Sequence, residues 1–222
     1  MKNLNKRYEN VFFNFKKFIF DKFYELSFNE HGRYLIQMFL EHEKKYINTN
    51  DSFIFKILNK SIINNKNIID YCNNKFSSFV TQKFLEILYN EKLNKRYENK
   101  IRGLNKIIFI NFINLSFSEN GNYAIQMFLE YEKKKIKKDG SLILNILNKS
   151  IINKKNVLYY LKNKYASFVI KKFLSIINNI KLNAHYKNKI RDLNKVVFDN
   201  SEESSLISCG LYLGNNKIRP KK

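Results

Sequence analysis

The chain repeats itself at a fixed distance, and that constrains its folding more than any other property. LNKRYEN stands at 4–10 and again at 93–99, LSF at 26–28 and 115–117, and LNKSIIN at 58–64 and 147–153. LNKIIF at 104–109 is answered by LNKVVF at 193–198, so every pair is offset by the same 89 residues. GRYLIQMFLEHEKK at 32–45 agrees with GNYAIQMFLEYEKK at 121–134 at eleven of fourteen positions. A gapless tandem duplication therefore runs to about residue 200, and internal repetition is the first guide to architecture.

A unit of 89 residues exceeds the roughly 20–50 residues of one stacked repeat. A half-period is present. GRYLIQMFLE at 32–41 aligns with SSFVTQKFLE at 77–86, and GNYAIQMFLE at 121–130 with ASFVIKKFLS at 166–175. Four copies result, with expected boundaries 26–70, 71–114, 115–159 and 160–200. Residues 1–25 match 90–114 and form an expected N-terminal partial repeat. Gly32, Gly121 and Gly210 share the 89-residue spacing, and GLYLGN begins at the last of them. Residues 201–222 are thus expected to be a decayed copy serving as a cap, as terminal repeats often do.

Each copy is helical by pattern. Leu35, Ile36, Phe39 and Leu40, with Ala124, Ile125, Phe128 and Leu129, give the stripe of a helix packed on one side. One proline and six glycines leave room for long helices and argue against a turn-rich β-sandwich. IFKILNKSIINN and ILNILNKSIINK supply a second helix per copy. EHEKK and EYEKK read as solvated last turns, and NNKN at 64–67 as a short turn. The expectation is an all-α stack whose repeats bury their faces against their neighbours.

No apolar run reaches the roughly 18 residues of a membrane span, and the N-terminus lacks a signal-peptide layout. Cys72 and Cys209 give neither a disulfide framework nor a metal spacing. A soluble intracellular chain without cofactor or metal is expected. The formal charge of +22 points to a polyanionic partner. An AT-rich coding sequence would also raise Lys, Asn, Ile, Phe and Tyr together, so charge alone does not identify the polyanion. No catalytic arrangement is visible. His31, His42 and His185 become Asn120, Tyr131 and Arg96 at their repeat-equivalent positions. The expectation is a non-enzyme.

Three helical positions stand out. Residues i and i+4 share a helix face, with i+1 beside the first. Those positions hold Arg33/Tyr34/Gln37, Ser78/Phe79/Gln82, Asn122/Tyr123/Gln126 and Ser167/Phe168/Lys171. The middle residue is always aromatic, and its polar flanks vary. Two polar groups one turn apart can reach a base edge, while an aromatic beside them stacks on a base. The plain structural alternatives are that the aromatics are core residues and that Ser78 and Ser167 are helix caps.

GNYAIQMFLEYE and NKYASFVIKKFLS resemble the alternating repeats of the Pumilio (PUF) RNA-binding family over residues 5–200. The resemblance implies a curved, right-handed α-solenoid of three-helix repeats. Single-stranded RNA would lie on its concave face, antiparallel to the protein, at one base per repeat. It also implies base-edge contacts from Arg33, Gln37, Ser78, Gln82, Asn122, Gln126, Ser167 and Lys171. Stacking would come from Tyr34, Phe79, Tyr123, Phe168 and, in the decayed copy, Tyr212. Asn122 with Gln126 matches the family's uracil pair, and Ser78 with Gln82 its adenine pair. Arg33 with Gln37 is not a standard pair. Ser167 with Lys171 departs from the guanine pair, because lysine cannot accept protons from guanine.

The implied core is 5′-N-U-A-N-3′, and the implied role is post-transcriptional or translational regulation of mRNA through 3′ UTR binding. The protein would act as a monomer with possible protein co-regulators and no membrane. The location would be cytoplasmic, or nuclear or nucleolar if the chain served ribosome biogenesis. Two other readings remain at this point: structured or non-specific RNA binding in ribosome biogenesis, and a protein-binding α-solenoid scaffold of HEAT or armadillo type. The repeats here are longer than the family's, with the surplus around 43–53 and 132–142, expected to be lengthened basic connections.

Overall fold

The computed structural model describes residues 2–199 except 50–51, 63–64, 91, 94, 137–141, 150–151, 154 and 180–183. Gly210, Tyr212 and the cap expected at 201–222 lie outside the described residues. The helices in chain order are α1 (Lys2–Asp21), α2 (Phe23–Ser27), α3 (Gly32–Glu43), α4 (Phe53–Ile57), α5 (Asn65–Asn73), α6 (Ser77–Asn90) and α7 (Lys95–Ile110). They continue as α8 (Phe112–Ser116), α9 (Gly121–Lys133), α10 (Leu142–Asn148), α11 (Val157–Lys162), α12 (Ala166–Asn178) and α13 (Ala184–Asp199). Among the described residues there is no strand, and no helix is long and apolar enough to cross a membrane.

The helices recur in threes: α2–α4, α5–α7, α8–α10 and α11–α13. The middle helix of each set carries one polar–aromatic–polar triplet, and α1 corresponds by the 89-residue period to the third helices α7 and α13. The boundaries expected at 70/71 and 159/160 fall inside α5 and α11. The turn expected at NNKN overlaps the first turn of α5, since Asn is as much at home at a helix start as in a turn.

Two compact units divide the chain, one running through Leu115 and one beginning at Ser116. In the first, α3 packs on α6; in the second, α9 packs on α12. α3 buries Ile36, Phe39 and Leu40, and α6 buries Val80, Phe84 and Leu85. Leu35, expected in the same stripe, is only half-buried. In α9, Ala124, Ile125, Phe128 and Leu129 are all buried, facing a helix that buries Val169, Ile170, Phe173 and Leu174. At about 1.5–3 kcal/mol for each large apolar side chain, these faces dominate the stability of each pair.

The starts of the middle helices are fixed by side chains three residues upstream. Asn29 Oδ1 accepts from the backbone N–H groups of His31 (2.9 Å) and Gly32 (2.8 Å). Asn74 does the same for Phe76 and Ser77 at 2.8 and 3.1 Å, and Asn163 for Tyr165 and Ala166 at 3.0 and 2.9 Å. Ser118 Oγ accepts from Gly121 N–H at 3.1 Å. Each cap satisfies first-turn donors that no helix can satisfy internally. Ser78 and Ser167 are not caps; their hydroxyls donate back to the carbonyls of Lys75 (3.2 Å) and Lys164 (2.9 Å).

Gly32 is demanded by space. A Cβ there would lie 2.5 Å from the Leu26 carbonyl oxygen and 2.9 Å from Leu26 Cα, so α3 starts directly against the backbone of α2. The equivalent residue before α6's triplet is Ser77, whose hydroxyl donates to the Tyr71 carbonyl at 2.9 Å. That crossing accommodates a side chain.

The connection that follows α3 is pinned at its described residues, 44–49. Lys44–Tyr46 form a 3₁₀ turn and Ile47 is buried. Asn48 Nδ2 donates to the Lys92 carbonyl at 2.9 Å, and Tyr97 OH donates to the Thr49 carbonyl at 2.7 Å. Phe55 stacks on Tyr97 with ring centroids 3.6 Å apart.

Candidate nucleic-acid interface

The four triplet aromatics are at the surface. Tyr34 is 53% exposed, Phe79 43%, Tyr123 50% and Phe168 52%. The chain neighbours of the last three are not: Ser78 and Val80, Asn122 and Ala124, and Ser167 and Val169 are all buried, while Arg33 and Leu35 beside Tyr34 are half-buried. An aromatic held out of a well-packed helix is not a core residue, so the core alternative for these four fails. Each is stiff, with two side-chain torsions, and presents a π-face at little entropic cost.

Most of the flanking polar residues are already engaged. Asn122 is 2% exposed; its Nδ2 donates to the carbonyls of Ser118 (3.1 Å) and Glu119 (2.7 Å). Its Oδ1 accepts from Gln126 Nε2 at 2.9 Å, so the uracil-type pair is joined side chain to side chain. Gln37 instead reaches across to the neighbouring helix and donates to the Phe79 carbonyl at 3.2 Å. Gln82 and Lys171 are half-buried. Arg33 stands against aromatics: its guanidinium carbon lies 4.4 Å from the Tyr34 ring centroid and 4.3 Å from that of Phe79.

Just beyond the triplets, the same ion pair crosses both pairs of helices. Lys83 Nζ meets Glu41 at 2.7 Å in the first unit, and Lys172 Nζ meets Glu130 at 3.4 Å in the second. The hydrogen bond from Lys83 holds the Glu41 carboxyl below the ordinary glutamate range, and Glu41 raises Lys83 in return. Each pair ties two neighbouring triplet helices of its own unit together.

The helix ends are less solvated than EHEKK and EYEKK imply. Glu43 and Glu132 are buried, at 2% and 5% exposure. Glu43 takes an ion pair of 2.8 Å from Lys16 of α1 and a contact of 3.1 Å from His42 Nδ1. Lys16 also lies over the rings of Phe12 (4.7 Å) and Tyr46 (4.9 Å). A buried carboxylate needs such a partner, and this one comes from 27 residues upstream, where helix periodicity gives no hint of it. The caps Asn29, Ser118, Asn74 and Asn163 were missed as well. Their signal was present: Asn or Ser stands three residues before Gly32, Gly121, Ser77 and Ala166.

Nothing in the described residues resembles a reacting centre. Burial pushes the Cys72 thiol up to about 12, which removes it as a nucleophile at neutral pH. Among the described residues no group of three or more His, Cys, Asp or Glu could hold a metal ion.

No protein-family model matches the sequence, and a search of curated proteins finds no match. Solved structures do match. The Puf3 RNA-binding domain bound to the Cox17 RNA 3′ UTR recognition sequence, site A, superposes with a TM-score of 0.52 at 22% identity, over 87% of this chain and 53% of that one. The RNA-binding domain of yeast Puf5p bound to SMX2 RNA gives 0.50 at 17% identity, over 84% of this chain and 58% of that one. The chain thus spans a little over half the length of the structures it matches. Identities this low speak to the fold alone. In fold, the chain is a Pumilio-type all-α repeat protein.

Proposed function

We propose that the chain binds single-stranded RNA through Tyr34, Phe79, Tyr123 and Phe168, one base per three-helix repeat. The observation that carries this reading is the exposure of an aromatic at the same place in all four triplet helices. A protein-binding scaffold has no need for a stiff exposed aromatic at that one place in every repeat. Asn122 with Gln126 would take uracil and Ser78 with Gln82 adenine, giving a core of 5′-N-U-A-N-3′. In the bound state Asn122 and Gln126 would exchange their mutual hydrogen bond for base-edge contacts.

Magnitudes decide how affinity is divided. Four stacks at roughly 1–3 kcal/mol each barely offset the ~4–15 kcal/mol lost to association and ordering. Phosphate contacts from the 41 Lys and Arg side chains must supply the remainder, so binding should fall steeply with salt. The biological role that fits is post-transcriptional regulation of mRNA through sites in its 3′ UTR.

The test is binding of a short UA-containing RNA against a poly-C RNA of equal length, with wild type and Tyr123→Ala. The UA RNA should bind more tightly, and the variant should lose about fivefold or more with helicity intact. Equal affinity for both RNAs would remove base reading and leave only charge-driven binding. Unchanged binding by Tyr123→Ala would refute the stacking surface.

A further inference from the structure

Arg33 and Asn122 occupy the same position of the two 89-residue copies, yet their side chains are deployed in opposite ways. Asn122 is folded down onto its own helix, bonded to Ser118, Glu119 and Gln126, and leaves Tyr123 uncovered. Arg33 rises between two rings that belong to neighbouring repeats. Its guanidinium carbon is 4.4 Å from the Tyr34 centroid and 4.3 Å from the Phe79 centroid, with the Phe76 ring further off at 5.9 Å. Nη2 donates to Tyr34 OH at 2.6 Å, and Nε donates to the Glu30 carbonyl at 3.2 Å. Among the described residues no cation or ring lies against Tyr123 or Phe168, the corresponding pair of the second unit.

A guanidinium is planar, delocalised and weakly hydrated, and it stacks on aromatic faces much as a base does. The place between Tyr34 and Phe79 is therefore filled by a group with the shape and stacking chemistry of the ligand expected there. Two hydrogen bonds at its edges fix its orientation.

We propose that Arg33 is a built-in occupant of the first unit's stacking slot, which a nucleobase must displace before it can stack on Tyr34 and Phe79. This deepens the RNA-binding reading and rests on it. The second unit, with Tyr123 and Phe168 uncovered, takes bases first. The first unit contributes base stacking only after Arg33 swings out, at the cost of its ring contacts and both hydrogen bonds. Base selection by the Arg33 repeat is then weak because the residue competes with the base instead of reading its edge.

A double-mutant cycle tests this with a short single-stranded RNA that contains UA. In wild type, Phe79→Ala should change affinity less than about twofold, because the lost base stack is offset by the lost self-stack of Arg33. In Arg33→Asn, which installs the residue carried by the other copy, Phe79→Ala should cost about fivefold or more. Arg33→Lys keeps the charge without the planar fork, and Phe79→Ala in that background should also cost about fivefold or more. Equal costs of Phe79→Ala in all three backgrounds overturn the proposal and make Arg33 an ordinary RNA contact. Tyr123→Ala serves as the control for the underlying reading. If it too leaves binding unchanged, RNA stacking itself fails, an outcome distinct from failure of the Arg33 slot alone.

Discussion

Two glycines in the first unit should respond to the same substitution with opposite sign. At Gly32, an added Cβ meets three backbone atoms of Leu26, at 2.5, 2.9 and 3.0 Å. None of them can rotate away. Restoring an ordinary contact of 3.4 Å requires the head of α3 to move by about 0.9 Å relative to α2. Overpacking of this kind costs about 1–3 kcal/mol. The helix-propensity gain of Ala over Gly, at most about 1 kcal/mol, is smaller in a first turn and offsets only part of it. At Gly103, within α7, a Cβ meets nothing within 4 Å, so the propensity gain of about 0.5–1 kcal/mol stands alone. Gly32→Ala should therefore destabilise by about 1–2 kcal/mol and Gly103→Ala stabilise by about 0.5–1 kcal/mol. Urea unfolding followed by far-UV circular dichroism reads both. Both residues lie before Leu115, so they act on the same compact unit even if the two units unfold separately. A Gly32→Ala variant as stable as wild type would refute the close approach of α2 and α3. A destabilised Gly103→Ala would refute the open surround of α7.

Three further outcomes follow from contacts described above. Asn74→Ala and Asn163→Ala should each cost about 1 kcal/mol in urea unfolding, and the Asp variants should retain most of the cap; unchanged midpoints would refute the caps. Lys16→Met should cost about 3 kcal/mol because it strands the buried Glu43 carboxylate, and adding Glu43→Gln should recover much of that; no recovery would place the damage elsewhere. Glu41 has its carboxyl lowered in the folded state, so its pairing contributes stability above the ordinary glutamate range and loses it as pH falls through the depressed value. Glu41 is half-exposed, so Glu41→Gln should remove less than about 1 kcal/mol at neutral pH, and the difference should fade in stability titrations as pH drops through the depressed value. A constant difference at all pH values would show that the ion pair is not its source.

The duplication was legible because packing forces apolar residues to recur: Ile36, Leu40, Ile125 and Leu129 are buried where their spacing put them. The exposed aromatics were legible for the opposite reason, as an apolar type held at a position flanked by variable polar residues. Less legible were the features decided by a second element. Glu43 looked solvated because its partner Lys16 lies on another helix. Arg33 looked like a misfit in a base-reading pair because half of its environment, Phe79, belongs to the next repeat. Gly32 marked the period, but its closeness to Leu26 is a tertiary fact. Repeat boundaries drawn at conserved spacing cut α5 and α11, since a period fixes length without fixing where a helix begins.

The alternation of a glycine-tight crossing at Gly32 with a roomier one at Ser77 has a consequence for how such a chain can lengthen. Copying one 45-residue repeat would set two crossings of the same kind side by side. Copying 89 residues preserves the order glycine, larger residue, glycine, larger residue, as Gly32, Ser77, Gly121 and Ala166 record. The heritable step of growth is therefore a pair of repeats, and each step adds two aromatic platforms whose flanking residues can then diverge separately. Arg33 and Asn122 are one such divergence.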